Sequence, residues 1–237
     1  MIDLTITPLT ADRFEDLVEL FGTRGDPSWC WCQYFRTTGR TYERSAELNQ
    51  RQLLSQVRAA TLPVGLIAYA AEPAPETGPP AGVVGARRSG EQGRQPKPVG
   101  WVQLGPRPSF PRITESRTMR AVAAASDDDL GDESVWAITC FVVKVGWRRQ
   151  GISRALLAAA IETAREERAT AVVGHPVDVA ARTTRVGGSE LYHGVATTFA
   201  AAGFDVVGRT GATRPVMRLD LIDVGPGSGQ PGSATST

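Results

Sequence analysis

Lysine is almost missing from this 237-residue chain: Lys97 and Lys144 are the two, and every other basic side chain is arginine. With Ala, Gly and Pro also abundant, that reads as compositional bias rather than as a basic patch. Charge of either sign is not in excess, since 26 Lys+Arg face 25 Asp+Glu for a formal net charge of +1. No global potential therefore draws nucleic acid or a membrane surface, and neither partner is expected. No apolar run approaches the roughly 20 residues of a membrane span. Met1-Ile2-Asp3-Leu4 provides neither a basic region nor a long apolar one, so no signal peptide is expected and the cytoplasm is the expected compartment. Cysteine is scarce and odd in number: Cys30, Cys32 and Cys140 fit a reducing cytosol, not a disulfide framework. Cys-x-Cys plus one distant Cys is poor zinc spacing, and neither His175 nor His193 has a ligand-like neighbour, so no metal is expected. No Gly-x-Gly-x-x-Gly follows a strand-like run, and Gly-x4-Gly-Lys-Ser/Thr is absent. Both facts weigh against other dinucleotide and nucleoside-phosphate enzymes.

What is present suits one globular domain with appendages: 41% hydrophobic and 22% charged residues. Residues 2–6 alternate like a strand. Thr10 can cap a helix to Phe21 with Phe14, Leu17, Val18 and Phe21 on one face. Gly25-Asp26-Pro27-Ser28 breaks it, and the aromatic segment Trp29-Cys30-Trp31-Cys32-Gln33-Tyr34-Phe35 follows. A polar helix is predicted over Tyr42 to Ala60, burying Leu48, Leu53, Leu54 and Val57, then a strand over Val64 to Ala70. Residues 72–98 are rich in Pro, Gly and charge and read as a flexible hairpin insertion. Strands are predicted at 99–104, 135–144, 171–175, 205–207 and 216–221. Helices are predicted near 114–125, over 153–168 and over 191–202, the last stopped by Gly203. The domain is thus expected to span 1–223, ahead of a disordered tail at 224–237.

The most informative stretch is Trp147-Arg148-Arg149-Gln150-Gly151-Ile152-Ser153-Arg154, between the most strand-like run and a helix-like run from Ser153 to Arg168. The first amides of a helix lack partners within it, and the helix dipole is positive there. A Gly-containing turn with Arg148, Arg149 and Arg154 is therefore a place for a pyrophosphate.

In this setting Arg148-x-x-Gly151-x-Ser153 resembles the acetyl-CoA signature of the GNAT superfamily of N-acetyltransferases, Gln/Arg-x-x-Gly-x-Gly/Ala. Ser153 departs at the last position, although it is small and able to cap the helix. The strand at 171–175 falls where that superfamily has its fifth, and Phe199-Ala200-Ala201-Ala202-Gly203-Phe204 is similar to its helix-end pattern Tyr-x-x-x-Gly-Phe. The resemblance runs from about Ile2 to Leu221. It implies an α+β (three-layer α/β) domain: a mixed, mostly antiparallel central sheet with helices on both faces. It further implies acetyl-CoA as cosubstrate, with direct transfer of the acetyl group to a primary amine of a small molecule or peptide. Phe141, Val142 and Val143 would bond the pantetheine arm between the splayed fourth and fifth strands. The turn at Arg148, Arg149, Gln150, Gly151, Ile152, Ser153 and Arg154 would hold the pyrophosphate, largely through amides. A backbone amide near Val143 would stabilise the oxyanion. Homodimers are common in the superfamily.

The catalytic side chains depart from the pattern. The superfamily's tyrosine acid falls on Phe199, which has no dissociable proton, and Tyr192, seven residues upstream on nearly the same helical face, is the substitute. The strand carboxylate falls near Ala137; Glu133 and Asp132 just before that strand, or ordered water, are the alternatives. His175, at a strand end, can take the amine's proton or be merely polar. His193 is placed on a helix surface. Cys140 lies on the strand that meets the thioester, so an acetyl-cysteine intermediate is conceivable beside direct transfer. A subgroup with a similar Trp-Cys-x-Cys segment carries Pro-Arg after the third strand, as in Pro106-Arg107, and ends like Arg214-Pro215-Val216-Met217-Arg218-Leu219. That likeness names no acceptor. Trp29, Trp31 and Tyr34 can wall an acceptor site or fill core, and Arg107 can bind an acidic acceptor group or be solvated. A catalytically weak CoA-binding sensor or partner-binding module with the same fold is the alternative function.

Overall fold

The strongest strand-like runs of the sequence become the middle of one sheet. A computed structural model of the protein describes residues 2–39, 42, 45–71, 96–183 and 187–221. Its strands are β1 (Leu4–Pro8), β2 (Gly65–Ala70), β3 (Lys97–Pro106), β4 (Val135–Val143), β5 (Ala171–Gly174), β6 (Asp205–Gly211) and β7 (Arg214–Asp220). They lie in the order β1-β2-β3-β4-β5-β7-β6. Every pairing is antiparallel except β4 with β5. The central strands read as nearly continuous apolar runs because both of their faces are covered.

On one face lies α7 (Ile152–Glu166), whose Leu156, Leu157, Ala160, Ile161 and Ala164 are buried against β2, β3 and β4. On the other lies α1 (Phe14–Phe21), which packs Phe14, Leu17 and Phe21 around Trp101 of β3 and Ile67 of β2. Two short helices, α2 (Asp26–Cys30) and α3 (Gln33–Arg36), and the longer α4 (Ala46–Ala59) complete that layer. Further along, α5 (Pro111–Thr114) and α6 (Arg117–Ala125) bury Ile113 and Met119 in a smaller core with residues of β5 and β7. The fold is therefore an α+β domain around a mostly antiparallel sheet, as expected from the resemblance.

Two departures from regularity build the site. The first is a bulge in β4. Gln103 faces Cys140 and Leu104 faces Ile138, which leaves Thr139 as an extra residue. Trp136 and Ile138 face the α7 core, but beyond the bulge it is Phe141 that does so. Cys140 and Val142 are turned toward the Trp101 face. The second is the early end of the parallel pairing: β4 and β5 match only from Val135↔Ala171 to Ile138↔Gly174. Thr139 to Val143 continue without β5, and a 3-10 helix, Gly188–His193, packs against that free half.

Several expectations need correction. The helix predicted over 191–202 is two pieces, the 3-10 helix ending at His193 and α8 (Ala196–Ala200). Gly194 separates them at φ 81 and ψ 177, a conformation that glycine adopts without strain. A Cβ there would stand 2.7 Å from the Phe199 ring. The polar helix begins at Ala46, not Tyr42, capped by Ser45, whose side chain accepts from the Leu48 amide. Its buried side is Asn49 and Leu53, while Leu48 is exposed. Neither Thr10 nor Ser153 caps: Thr10 makes no capping bond, and Ser153 is inside α7 behind Gly151. Of the expected insertion, Lys97 and Pro98 already pair with Ala70 and Tyr69 of β2, and residues 72–95 lie outside the described residues. The expected tail at 224–237 lies outside them as well. No helix among the described residues is long and apolar enough to cross a membrane.

Candidate active site

The turn after β4 forms one wall of a cavity of about 290 Å³, lined among others by Phe141, Val143, Arg148, Gly151, Arg154 and Tyr192. The first bond of α7 runs from the Ala155 amide to the Gly151 carbonyl, 3.0 Å. The amides of Ile152, Ser153 and Arg154 therefore have no partner within the helix and point out of its positive end. Arg149 (φ 63) and Gly151 (φ 85) are both left-handed, which curls the turn around the helix start. Nothing lies within 4 Å of where a Gly151 Cβ would stand, so the space above this backbone is open. Arg149 and Arg154 enter no ion pair among the described residues, and Arg148 donates from Nε to the Val143 carbonyl at 3.4 Å. A cradle with unpartnered amides and unpaired guanidinium groups fits a pyrophosphate.

A second cavity, about 310 Å³, opens on the other side of β4. Its floor is Thr139, Cys140 and Val142, which the bulge turned this way, and its outer wall is the α2–α3 corner with Asp26, Trp29, Tyr34 and Phe35. The corner reverses through two consecutive left-handed residues, Trp31 (φ 46) and Cys32 (φ 55). Such conformations cost roughly 1–2 kcal/mol each for residues with a Cβ. Buried carboxamides hold it. Asn49 Nδ2 donates to the Trp29 carbonyl (3.0 Å), Gln33 Nε2 to that of Trp31 (3.3 Å) and Gln103 Nε2 to that of Cys32 (3.1 Å). The bonds to Trp31 and Cys32 are buried, and those carbonyls would be costly to leave unpaired.

Tyr192 lines both cavities. Its phenol is held above its usual range, first by burial and then by the Asp26 carboxylate, so it is protonated at neutral pH and able to donate. His193, beside it, lines the second cavity, edge-on to Phe35 with ring centroids 5.2 Å apart. Its Nδ1 lies 3.2 Å from the Thr139 carbonyl. A carbonyl only accepts, so Nδ1 carries the hydrogen and Nε2 is left with a lone pair. Burial, then Arg214, pushes the His193 pKa down, which keeps the ring neutral. A relay of buried bonds sets that carbonyl: Gln103 spans from the Cys32 carbonyl to Thr139, whose Oγ1 donates to Gln103 Oε1 at 2.7 Å.

The three cysteines meet on this second cavity. A hydrogen bond with Cys32, followed by burial, holds the Cys140 thiol well above its ordinary pKa, and burial raises that of Cys30. A protonated thiol is a weak nucleophile, which argues against an acetyl-cysteine step. Among the described residues no group of three or more His, Cys, Asp or Glu is placed to hold a metal.

Other residues singled out from sequence are not brought here. Glu133 is exposed in the turn before β4, at the opposite end of that strand from Phe141, and lines neither cavity. Asp132 is spent on Ser134, accepting from its hydroxyl at 2.7 Å. Arg107 is buried and bonded by both terminal nitrogens to Asp128, at 2.5 and 3.1 Å. It braces the segment after α6 and lines neither of these cavities. Trp31 is buried between Phe14 and Phe21 in the core, whereas Trp29 and Tyr34 are exposed on the cavity wall. His175 lines neither cavity. Its Nε2 is buried without a hydrogen-bond partner, and burial first, then nearby His193, lowers its pKa to about 4. Phe199 is fully buried, edge-on to Phe204 at 5.0 Å. The residue that sequence reasoning misplaced is His193; the available signal was Gly194, which ends its helix and releases it from a surface helical face.

Solved structures that match this chain include the PaiA N-acetyltransferase of Thermoplasma acidophilum, crystallised in complex with coenzyme A (12% identity, 92% of this chain and 99% of that one, TM-score 0.47). A GCN5-related N-acetyltransferase from Kribbella flavida matches at 15% identity over 92% and 98% of the chains, TM-score 0.47. The ribosomal-protein-alanine N-acetyltransferase of Brucella melitensis matches at 17% identity over 92% and 99%, TM-score 0.45. No curated protein matches the sequence. The sequence profile of the Acetyltransferase (GNAT) family matches residues 47–183, which include the turn after β4 and the splay of β4 from β5, and the chain belongs to that family.

Proposed function

We propose that the protein transfers the acetyl group of acetyl-CoA directly to a primary amine of a small molecule or peptide. The observation that carries this reading is Tyr192, whose side chain borders both the cavity of unpaired amides and arginines and the aromatic cavity behind β4. Arg148 to Arg154 hold the pyrophosphate through amides and guanidinium groups, and the free edge from Phe141 to Val143 takes the pantetheine arm. When bound, acetyl-CoA supplies the activated acyl group. The residues do the rest. His193 accepts at Nε2 the proton that the amine sheds as its nitrogen bonds the acetyl carbon. Tyr192 donates its phenolic proton as the carbon–sulfur bond breaks, so the sulfur leaves as a thiol. A backbone amide near Val143 faces the developing oxyanion. Both cavities holding their ligands in line supplies much of the acceleration.

The three free cysteines support a reducing compartment such as the cytoplasm. Phe199, buried where the superfamily places its tyrosine acid, is what favours a CoA-binding sensor instead. Thiol release from acetyl-CoA across a panel of amines separates the two readings. Amine-dependent release is expected; tight acetyl-CoA binding with release no faster than hydrolysis would establish the sensor.

A further inference from the structure

The second cavity carries more chemistry than acetyl transfer alone requires. Its rings form a run of edge-to-face contacts from rim to floor. Tyr34 meets Tyr42 at 6.3 Å and Phe35 at 5.1 Å, and Phe35 meets the His193 imidazole at 5.2 Å. Trp29, half exposed, adds an unpaired indole face at the mouth. A nitrogen delivered to His193 would therefore trail its carbon skeleton along aromatic surface.

The charges are equally one-sided. The cation on the wall, Arg214, is engaged by Glu190 at 3.4 Å, and Glu190 is also bonded by Arg182. Arg112 lies over the Tyr34 ring, 4.0 Å from its centroid, and bonds the Tyr34 carbonyl. Asp26 enters no ion pair among the described residues, lines the cavity and lies within electrostatic reach of Tyr192 and Tyr42. A positively charged amine is thus attracted to the mouth, while a carboxylate finds no free cation among the described residues and meets Asp26. About 310 Å³ is at the small end of ligand cavities, the size of a compact molecule and not of a peptide chain.

From this arrangement we infer that the acceptor is a small primary amine on an aromatic or other apolar body, with no carboxylate beside the amine. Asp26 draws in the ammonium, and Trp29, Tyr34 and Phe35 hold the body. The inference rests on the acetyltransferase reading and narrows its substrate class.

Matched pairs test it: 2-phenylethylamine against phenylalanine, tryptamine against tryptophan, and a tripeptide with N-terminal phenylalanine. Thiol release with acetyl-CoA and the full chain gives kcat/KM. Calorimetry of each acceptor on the CoA-loaded protein gives binding without turnover. We expect each amine to exceed its amino acid by about a hundredfold in kcat/KM, since the extra carboxylate is desolvated beside a like charge. Asp26→Asn should raise the KM for the amines about tenfold and leave the Kd for CoA unchanged. Trp29→Ala should weaken tryptamine more than butylamine. Amino acids that match their amines, or a preferred tripeptide, would overturn the inference and leave the acetyltransferase reading standing. If no acceptor accelerates thiol release, the acetyltransferase reading fails, and equal binding of amine and amino acid would then dispose of the inference separately.

Discussion

The two sides of Tyr192 are made of different material. The side toward α7 is backbone: a left-handed turn, three unpaired amides and an open space above Gly151, with arginines around them. The side toward α2 is side chain: rings, an unpaired carboxylate and an imidazole whose tautomer is fixed by one carbonyl. Backbone sites depend on conformation and survive most changes of residue. Side-chain sites depend on identity and on the bonds that aim each group. A fold can keep the first constant and vary the second, so the donor is common to a family while the acceptor is not.

That contrast predicts which changes hurt what. The largest effect belongs to the group shared by both sides. Tyr192→Phe should lower kcat by between a hundred- and ten-thousandfold, the usual weight of a general acid, with the Kd for CoA from calorimetry unchanged. A kcat near that of the unaltered protein would remove Tyr192 from the chemistry.

Acidification should strike the fold next, through a histidine that lines neither cavity. The pKa of His175 is about 4 in the fold against about 6.5 in the unfolded chain. The fold favours its neutral form, so the full contribution is present above pH 6.5 and is lost as the pH falls toward 4. The loss is at most roughly 3 kcal/mol, less for whatever part of the ring water reaches. Urea unfolding from pH 7 to 4 measures it, and a His175→Gln chain should lose this part of the slope.

The relay behind His193 comes third. Gln103→Leu leaves the Cys32 carbonyl and the Thr139 hydroxyl buried and unpaired, which should cost about 2 kcal/mol of stability. It should also change the pH profile of kcat, because the carbonyl that fixes the His193 tautomer moves; a profile identical to that of the unaltered protein would make Gln103 structural alone. Gly151→Val is the mildest. Strain at φ 85 and a side chain in the open cradle should weaken CoA binding about tenfold, with kcat at saturating CoA little changed. A larger loss in kcat than in affinity would blur the division between the two sides.

The same contrast explains how far the sequence could be read. The turn at Arg148 to Arg154 is legible because strand, glycine and amphipathic helix are neighbours in the chain, and local geometry is all the amides need. The sheet is legible for a related reason: Val135 to Val143 and Lys97 to Pro106 are apolar along their length, as doubly covered strands must be. The acceptor side is assembled from Asp26, Trp29, Thr139 and His193, which nothing local connects. The bulge leaves no trace in residue type, since Thr139 suits a regular strand as well as a bulged one. Arg107 shows the limit in reverse. An arginine after a strand reads as solvated or ligand-binding, and only the distant Asp128 makes it a buried brace.

The bulge at Thr139 has one further meaning. A strand assigns its side chains by parity, and a single added residue changes the parity of everything after it. Were Thr139 paired as an ordinary strand residue, the composition of β4 would be untouched, yet the two floors would exchange, sending Phe141 behind the strand and Cys140 and Val142 toward the helix start. Which ligand those residues meet is thus decided by counting and not by chemistry. Deleting Thr139 would keep both floors, because Gln103 would still face Cys140 and Leu104 still face Ile138; drawing it into the ladder would rewrite both cavities at once.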